Sequence, residues 1–279
     1  MHPATEEFLR QIGLAAQKGG YLCYVVGGFV RDDLLGIESL DLDLAVNYLA
    51  DSEQTQFAGL EFAEYLYNFG EEIFKLKFIT PKKLAKFKKY RTAKIFFKNS
   101  KNLEHSEEIQ THSEDLADFT LDFVTCRQEV YLASGAAPQI SSGTLRDDLL
   151  RRDFSVNALA LNLMPQNFGE VLDYCEGIKD LEQRELNILH AQSFKDDPVR
   201  LLRGLRYLQR LSKFGFHFGA KTQALFEQAV REELILNVPP TRLKEEYLKV
   251  KKESCAAEIL SQMQSIGLLQ SCLLNLKIA

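Results

Sequence analysis

The stretch Leu40-Asp41-Leu42-Asp43-Leu44-Ala45-Val46 carries two carboxylates at alternating positions. On an extended strand, residues i and i+2 point to one face, so Asp41 and Asp43 are expected to project together while Leu42, Leu44 and Val46 face a core. Aspartate is disfavoured in strands, and like charges side by side repel. A divalent cation between the two carboxylates would make sense of the arrangement. An all-oxygen donor set with no nearby His or Cys favours Mg²⁺ or Mn²⁺ over zinc. A third carboxylate, Asp122, stands in Phe119-Thr120-Leu121-Asp122-Phe123-Val124, where the aromatic and leucine side chains would face one side and Asp122 the other. The plainer alternative for an isolated Asp-x-Asp is a polar strand face in contact with water.

Upstream, Tyr21 to Val26 is a short apolar run suited to a buried strand, and Gly27-Gly28 breaks it. Phe29 to Leu35 then reads as a short helix stopped by Gly36. Glycines between a strand and a helix let backbone N–H groups approach an anion, and a helix N-terminus is electropositive. Arg31, in the first turn, could grip phosphate oxygens. A glycine pair alone is equally well a tight turn. Followed within about fifteen residues by Asp-x-Asp, it sets a phosphate site beside a metal site, the layout of phosphoryl or nucleotidyl transfer.

These residues need a scaffold. Ala4 to Lys18 has the apolar spacing of an amphipathic helix, ended by Gly19-Gly20. Segments near 73–79, 93–97, 119–125 and 129–132 are further strand candidates, whereas from Arg151 onward the period is helical almost throughout. The expected architecture is α+β, a mixed-sheet head followed by an all-helical part. The length of 279 residues allows about two domains. No apolar run approaches the roughly 18 residues of a membrane span, and the N-terminus has no apolar signal core. The five cysteines, never in Cys-x-x-Cys, read as small core residues in a reducing compartment, so a cytoplasmic location is expected.

A net charge of -5 argues at first against a nucleic-acid partner. The charge is segregated, however: residues 73–103 hold eleven Lys/Arg and no acid, and residues 104–122 hold seven acids and no Lys/Arg. A ligand meets such blocks separately. Lys82, Lys83, Lys86, Lys88, Lys89 and Arg91 are therefore candidate RNA contacts on a mobile loop, interleaved with Phe87 and Tyr90. Arg200, Arg203, Arg206 and Arg210 form a second basic stripe beside Leu202, Leu205 and Leu208. A solvated helix face accounts for such a stripe as readily as RNA or triphosphate contact does.

The motifs resemble the class II tRNA nucleotidyltransferase and bacterial poly(A) polymerase family. The resemblance rests on Gly27-Gly28-Phe29-Val30-Arg31-Asp32 with Asp41-Leu42-Asp43, and on Arg127-Gln128-Glu129-Val130-Tyr131. It continues through Asp148-Leu149-Leu150-Arg151-Arg152-Asp153-Phe154-Ser155-Val156-Asn157 and Asp196-Asp197-Pro198-Val199-Arg200-Leu201-Leu202-Arg203-Gly204-Leu205-Arg206. It implies a polymerase-beta-like nucleotidyltransferase head over residues 1–150, a helical neck that recognises the base over 151–240, and the start of a helical body over 241–279. By resemblance, Asp41 and Asp43 hold two metal ions and Asp122 is the third, basic carboxylate. Gly27, Gly28 and Arg31 hold the triphosphate. Arg152, Asp153 and Asn157 bind ribose and phosphates, with Asp153 and Asn157 sharing a face of a predicted helix. Arg203 and Arg206 join the nucleotide-binding set.

Asp197 and Arg200 occupy the positions with which the family reads the incoming base. A carboxylate accepts the exocyclic amine of cytosine or adenine, and a guanidinium donates to a ring nitrogen. Guanine and uracil present a carbonyl instead, which leaves the carboxylate unpaired. Asp196 and Asp197 would also serve as cap and dipole partner of the following helix.

The implied activity is template-independent transfer of CMP and/or AMP from CTP or ATP to the 3′ end of tRNA, with no membrane and no obligatory protein partner. The alternatives are poly(A) synthesis, a catalytically idle RNA-binding relative, and a small nucleotidyltransferase acting on an antibiotic or protein. Three departures from the family pattern stand out: Tyr90-Arg91-Thr92-Ala93 in place of Phe/His-Gly-Thr, a polar insertion over residues 99–116, and Ser155 in place of Thr. The helical body is expected to be truncated, with the tRNA-gripping tail missing or reduced.

Overall fold

The computed structural model describes residues 1–39, 41–50, 56–73, 79–99 and 119–277. They divide into two compact units. The first comprises Met1–Gln128, Ile140–Leu150 and Asn157–Tyr174, and the second Glu129–Gln139, Arg151–Val156 and Cys175–Ala279.

The first unit opens with α1 (Pro3–Gly19). Its apolar face, Phe8, Leu9, Ile12 and Ala16, is buried, and Gly20 ends the helix at φ 78°, where a residue without Cβ is strain-free. β1 (Tyr21–Val26), α2 (Gly28–Leu34), β2 (Leu42–Tyr48), α3 (Ala58–Ile73), β3 (Ile79–Phe87), β4 (Thr92–Asn99) and β5 (Phe119–Thr125) follow. β6 (Arg127–Val130) and β7 (Gln139–Ser142) make a two-stranded ribbon, and α4 (Leu145–Leu150), β8 (Leu159–Asn162) and β9 (Val171–Asp173) complete the set. The seven-stranded sheet runs β3-β4-β5-β2-β1-β8-β9. Its neighbours are antiparallel except for the parallel pair β2·β5.

Alternation along the strands decides which face is dry. Leu42, Leu44 and Val46 of β2, Leu121 and Phe123 of β5, and Ile95 and Phe97 of β4 are buried. They meet α1 and α3: the Phe8 ring lies edge-on to Phe97 and Phe119 at 6.0 and 5.5 Å, and Phe62 of α3 edge-on to Phe123 at 6.1 Å. Each such side chain removed from water contributes about 1.5–3 kcal/mol. Period two then sends Asp43, Lys94 and Asp122 to the opposite face.

Several expectations need correction here. β2 begins at Leu42, so Asp41 precedes the strand instead of lying in it; Leu40 is outside the described residues. Of the strand expected over 73–79, residues 74–78 lie outside the described residues. The helix α3 runs to Ile73 and β3 starts at Ile79, because the amphipathic spacing Leu60, Phe62, Ala63, Leu66 carries the helix on. Lys82 to Arg91 is not a loop: Lys82, Lys83 and Lys86 lie on β3, Lys88 and Lys89 form a single 3₁₀ turn, and Arg91 turns the chain at φ 53°. The expected insertion, apart from Asn99 at the end of β4, lies outside the described residues.

The stretch after Arg151 is not all helical, since β8 and β9 extend the sheet on the far side of β1. β8 is buried at every position, and a short continuous apolar run carries no alternation by which to distinguish it from a helix. Asp153 to Asn157 is likewise no α-helix but a bend followed by a 3₁₀ turn over Ser155–Asn157.

In the second unit, α5 (Gly177–Gln183), β10 (Glu185–Leu186), α6 (Ser193–Asp196), α7 (Arg200–Arg210), β11 (His217–Phe218) and α8 (Ala220–Arg231) precede α9 (Pro240–Lys252), α10 (Ala256–Ser265) and α11 (Leu268–Leu276). Its core stacks Phe154, Phe218 and Phe226, with Leu201, Leu202 and Leu205 of α7 fully buried. Gly204 of α7 is held open by these rings, as a Cβ there would stand 2.8 Å from Phe218 and 3.0 Å from Phe154.

Candidate active site

The first unit brings its glycine turn and its carboxylates together through strand register. Val26, the last residue of β1, pairs with Asp43, and Asp43 pairs on its other side with Asp122. The turn after β1 therefore emerges beside the strand end that carries the carboxylates. Gly27 adopts φ 84°, ψ −138°, a conformation essentially restricted to glycine. Its N–H donates to the Leu159 carbonyl at 3.2 Å, which ties the turn to β8. A Cβ on Gly28 would meet nothing closer than Arg31 Nη2 at 3.5 Å, so packing does not demand glycine there.

Arg31 is 1% exposed. Its Nε donates to Asp32 at 2.8 Å and its Nη1 to Asn157 Oδ1 at 2.7 Å. The guanidinium thus lies under the turn, anchored by two residues of the same unit, and Asn157 is placed by the 3₁₀ turn that follows Asp153. Asp41 is exposed and its N–H donates to Ser39 Oγ at 3.3 Å. Asp122 makes an ion pair with Lys94 at 2.8 Å. Burial raises the Asp122 pKa above its ordinary value; the Lys94 ammonium opposes this and the Asp41 charge adds to it.

Among the described residues no group of three or more His, Cys, Asp or Glu side chains is arranged to hold a metal ion alone. The donors present are nonetheless the right kind for Mg²⁺, which is commonly held by one or two carboxylates together with substrate phosphates. Asp41 and Asp43 fit that requirement.

The second unit holds the remaining expected residues. Arg152 sits in the bend before Asp153. Asp153, 6% exposed, accepts from Arg203 Nε at 2.7 Å, and Arg203 Nη2 donates onward to the Tyr207 hydroxyl at 2.9 Å. Asp197 caps the turn that starts α7: its Oδ1 accepts the Val199 N–H at 3.3 Å and its Oδ2 receives Arg242 Nη2 at 2.7 Å. Arg200, 3% exposed, directs Nη2 to the Arg151 carbonyl at 2.8 Å and Nη1 to the Ser193 carbonyl at 3.4 Å. Arg151 in turn is gripped at 3.0 Å by Glu129, which also accepts from the Tyr131 hydroxyl at 3.1 Å. Two buried polar atoms beside this set, Ser193 Oγ and Arg242 Nη1, have no hydrogen-bond partner. Such atoms cost about 1–3 kcal/mol apiece unless something meets them.

The basic stripe of α7 is largely neutralised within its own unit. Arg206 pairs with Glu246 and, at 2.8 Å, with Glu253, and Arg210 reaches Glu253 at 3.0 Å. Sequence reasoning places Lys94 only in the basic block of candidate phosphate contacts and assigns no role to Arg242 or Glu246. Arg242 and Glu246 stand four apart on α9, the spacing that puts two side chains on one helix face, and that was the available signal. Of the hairpin cations, Lys86 pairs with Glu64 at 2.7 Å and Lys89 lies 5.7 Å from the Tyr90 ring centre. Phe87 and Tyr90 are half exposed.

A mixed sheet with a glycine turn beside facing aspartates on adjacent central strands defines a nucleotidyltransferase head. Residues 23–187 match the family described as the Poly A polymerase head domain, and the chain belongs to that family. It is 32% identical over 247 residues to the A-adding tRNA nucleotidyltransferase of Aquifex aeolicus, covering 88% of this chain and 25% of that protein. It is 32% identical over 269 residues to the A-adding tRNA nucleotidyltransferase of Halalkalibacterium halodurans, covering 96% of this chain and 54% of that protein. A solved CCA-adding enzyme in its apo form superposes with a TM-score of 0.75 at 32% identity over 97% of this chain and 55% of its own. The chain therefore spans between a quarter and about half the length of these relatives. Among the described residues no helix is long and apolar enough to cross a membrane.

Proposed function

We propose that the chain transfers CMP and/or AMP from CTP or ATP to the 3′ end of tRNA without a template, and that AMP is the favoured donor group. The observation that carries the reading is the strand register Val26–Asp43–Asp122, which sets a glycine turn beside paired carboxylates. The A-adding names of both curated relatives support the choice of AMP. A cytoplasmic setting accords with five cysteines that are never spaced Cys-x-x-Cys and stand outside any disulfide.

Two divalent ions held by Asp41 and Asp43, Mg²⁺ or Mn²⁺, would activate the attacking 3′-hydroxyl and neutralise charge on the α-phosphate and the departing pyrophosphate. The Gly27-Gly28 turn offers the Gly28 N–H to the triphosphate, while the Gly27 N–H ties the turn to Leu159. Arg31 supplies positive charge from beneath, fixed by Asp32 and Asn157, so its contribution is a preset field more than a mobile clamp. Asp122 is the third carboxylate of the head and accepts a proton from the reacting hydroxyl.

The second unit supplies the choice of base. Asp197 accepts an exocyclic amine and Arg200 donates to a ring nitrogen; both are more than nine-tenths buried and held by protein partners, so a base with a carbonyl in place of the amine sets an acceptor against a fixed carboxylate. Arg152 and Asp153 bind ribose and phosphate. Arg203 holds Asp153, and Arg206 braces α7 through Glu246 and Glu253. Lys82, Lys83, Lys86, Lys88, Lys89 and Arg91 offer the β3–β4 hairpin to RNA phosphates. The test is incubation with Mg²⁺, each labelled nucleoside triphosphate in turn, and tRNAs ending before, within or after CCA. Addition of one to three nucleotides to immature tRNA alone is expected. Long adenylate tails on generic RNA would establish poly(A) synthesis instead.

A further inference from the structure

Lys94, Asp122 and Asp43 form one row across the sheet. Lys94 of β4 is the direct partner of Asp122 in the antiparallel pair, and Asp122 is the direct partner of Asp43 in the parallel pair. All three sit on the face turned away from α1 and α3. Neighbouring strands are about 4.8 Å apart, so the two aspartates would repel unless something of opposite charge lies beside them. The Lys94 ammonium does so, 2.8 Å from Asp122 Oδ2, with both side chains 33% exposed. The row is thus reachable by ions from solution while a cation that belongs to the chain already stands at one end.

We propose that Lys94 is the built-in counter-cation of this row, turning Asp122 toward β4 and limiting how strongly the head attracts a divalent ion before a nucleotide arrives. The inference rests on the reading of Asp41 and Asp43 as metal ligands. A fixed positive charge within a few ångströms of a divalent ion lowers its affinity, and at a part-exposed site salt softens the effect without abolishing it. A metal ion alone then binds weakly, and the phosphates of the incoming nucleotide supply the charge that retains it. Lys94 is a positioning residue in this account, acting through Asp122 and the local field.

The test is Mn²⁺ binding to the full chain without nucleotide, read from the electron paramagnetic resonance signal of free Mn²⁺. Lys94→Met, close in length but uncharged, is expected to tighten binding about fivefold, and Lys94→Gln to act in the same direction. Lys94→Arg keeps the charge and is expected to stay within about twofold of the parent. Adding Asp43→Ala to Lys94→Met should remove the gain. Unchanged or weaker binding by both neutral variants, while Asp43→Ala still lowers it, would overturn the role of Lys94 and leave the metal ligands standing. Binding that is indifferent to Asp43→Ala, or undetectable in parent and variants alike, would overturn the ligand assignment and the proposal with it. Thermal unfolding of each variant verifies that a folded protein is being titrated.

Discussion

At the scale of single residues, the side chains proposed to act on substrate are of two kinds. Asp41 and Asp43 stand at or before the first residues of β2, part-exposed or exposed, with the sheet behind them already packed. Replacing either with alanine removes a ligand without opening the core. Incorporation of nucleotide is expected to fall by about three orders of magnitude or more while the unfolding temperature holds; paired rate and melting measurements check this. Asp197 is of the other kind, because it also accepts the Val199 N–H in the turn before α7 and is the partner of Arg242. Asp197→Ala would mix loss of base recognition with about 1 kcal/mol of lost capping. Asp197→Asn retains an acceptor for the Val199 N–H, so it isolates the recognition role. In a four-nucleotide competition it should erode the preference for ATP and CTP over GTP and UTP by about tenfold, the worth of one charge-assisted hydrogen bond. Unchanged selectivity would contradict that role.

At the scale of elements, the two glycines after β1 separate structure from function. Gly27 holds a backbone conformation that a side chain resists, so Gly27→Ala should destabilise the head by about 1–3 kcal/mol. Gly28 has room for a methyl group, so Gly28→Ala should leave stability within about 0.5 kcal/mol. Its effect is expected in the KM for the nucleotide, which rises if phosphate approaches the backbone there; denaturant curves and steady-state kinetics distinguish the two. These elements show how much was legible in the chain. β1 and β5 are readable to the residue because their apolar and β-branched runs are bounded by glycine or polar residues. The Asp-x-Asp strand was legible as an element but displaced, since alternation through Leu40 does not say where pairing begins. β8 was not legible, because a strand buried on both faces has no alternation. The Asp153–Asn157 turn has helical spacing in sequence, which cannot show that its hydrogen bonds go to Asn187 and Asp180. The partners of Arg31, Asp197 and Arg206 lie 126, 45 and 40 residues away; such contacts are products of the fold and leave no local trace.

At the scale of the whole molecule, the segregated charge resolves into internal pairing and outward display. The α7 arginines are engaged within their own unit, Arg203 by Asp153 and Arg206 and Arg210 by Glu246 and Glu253, whereas the hairpin retains Lys82 and Lys88, which make no ion pair with a described residue. The net charge of -5 is the wrong scale at which to judge an RNA partner. Glu246 links α7 to α9. Burial alone would raise its carboxyl, but Arg203, Lys249 and Arg206 outweigh burial and hold its pKa below the usual 4.5. A depressed carboxylate stabilises the folded state above its unfolded pKa, and that stability is lost as pH falls through the folded value. Unfolding followed by circular dichroism should thus show stability falling as the medium is acidified below about 4.5. Glu246→Gln should lower stability at pH 7 by about 1.5 kcal/mol, through the weakened Arg206 contact that Glu253 only partly replaces, and flatten that acid dependence.

The central claim, that the paired carboxylates at the start of β2 drive addition of single nucleotides to tRNA, is tested most directly in one experiment. The full chain and its Asp43→Ala variant are each mixed with Mg²⁺, α-labelled ATP and either a tRNA ending in CC or an unrelated RNA of equal length, and products are resolved to the nucleotide. The account predicts a single added adenylate on the tRNA, none on the unrelated RNA, and none from the variant. Equal extension of both RNAs by many adenylates, or undiminished addition by the variant, would contradict it.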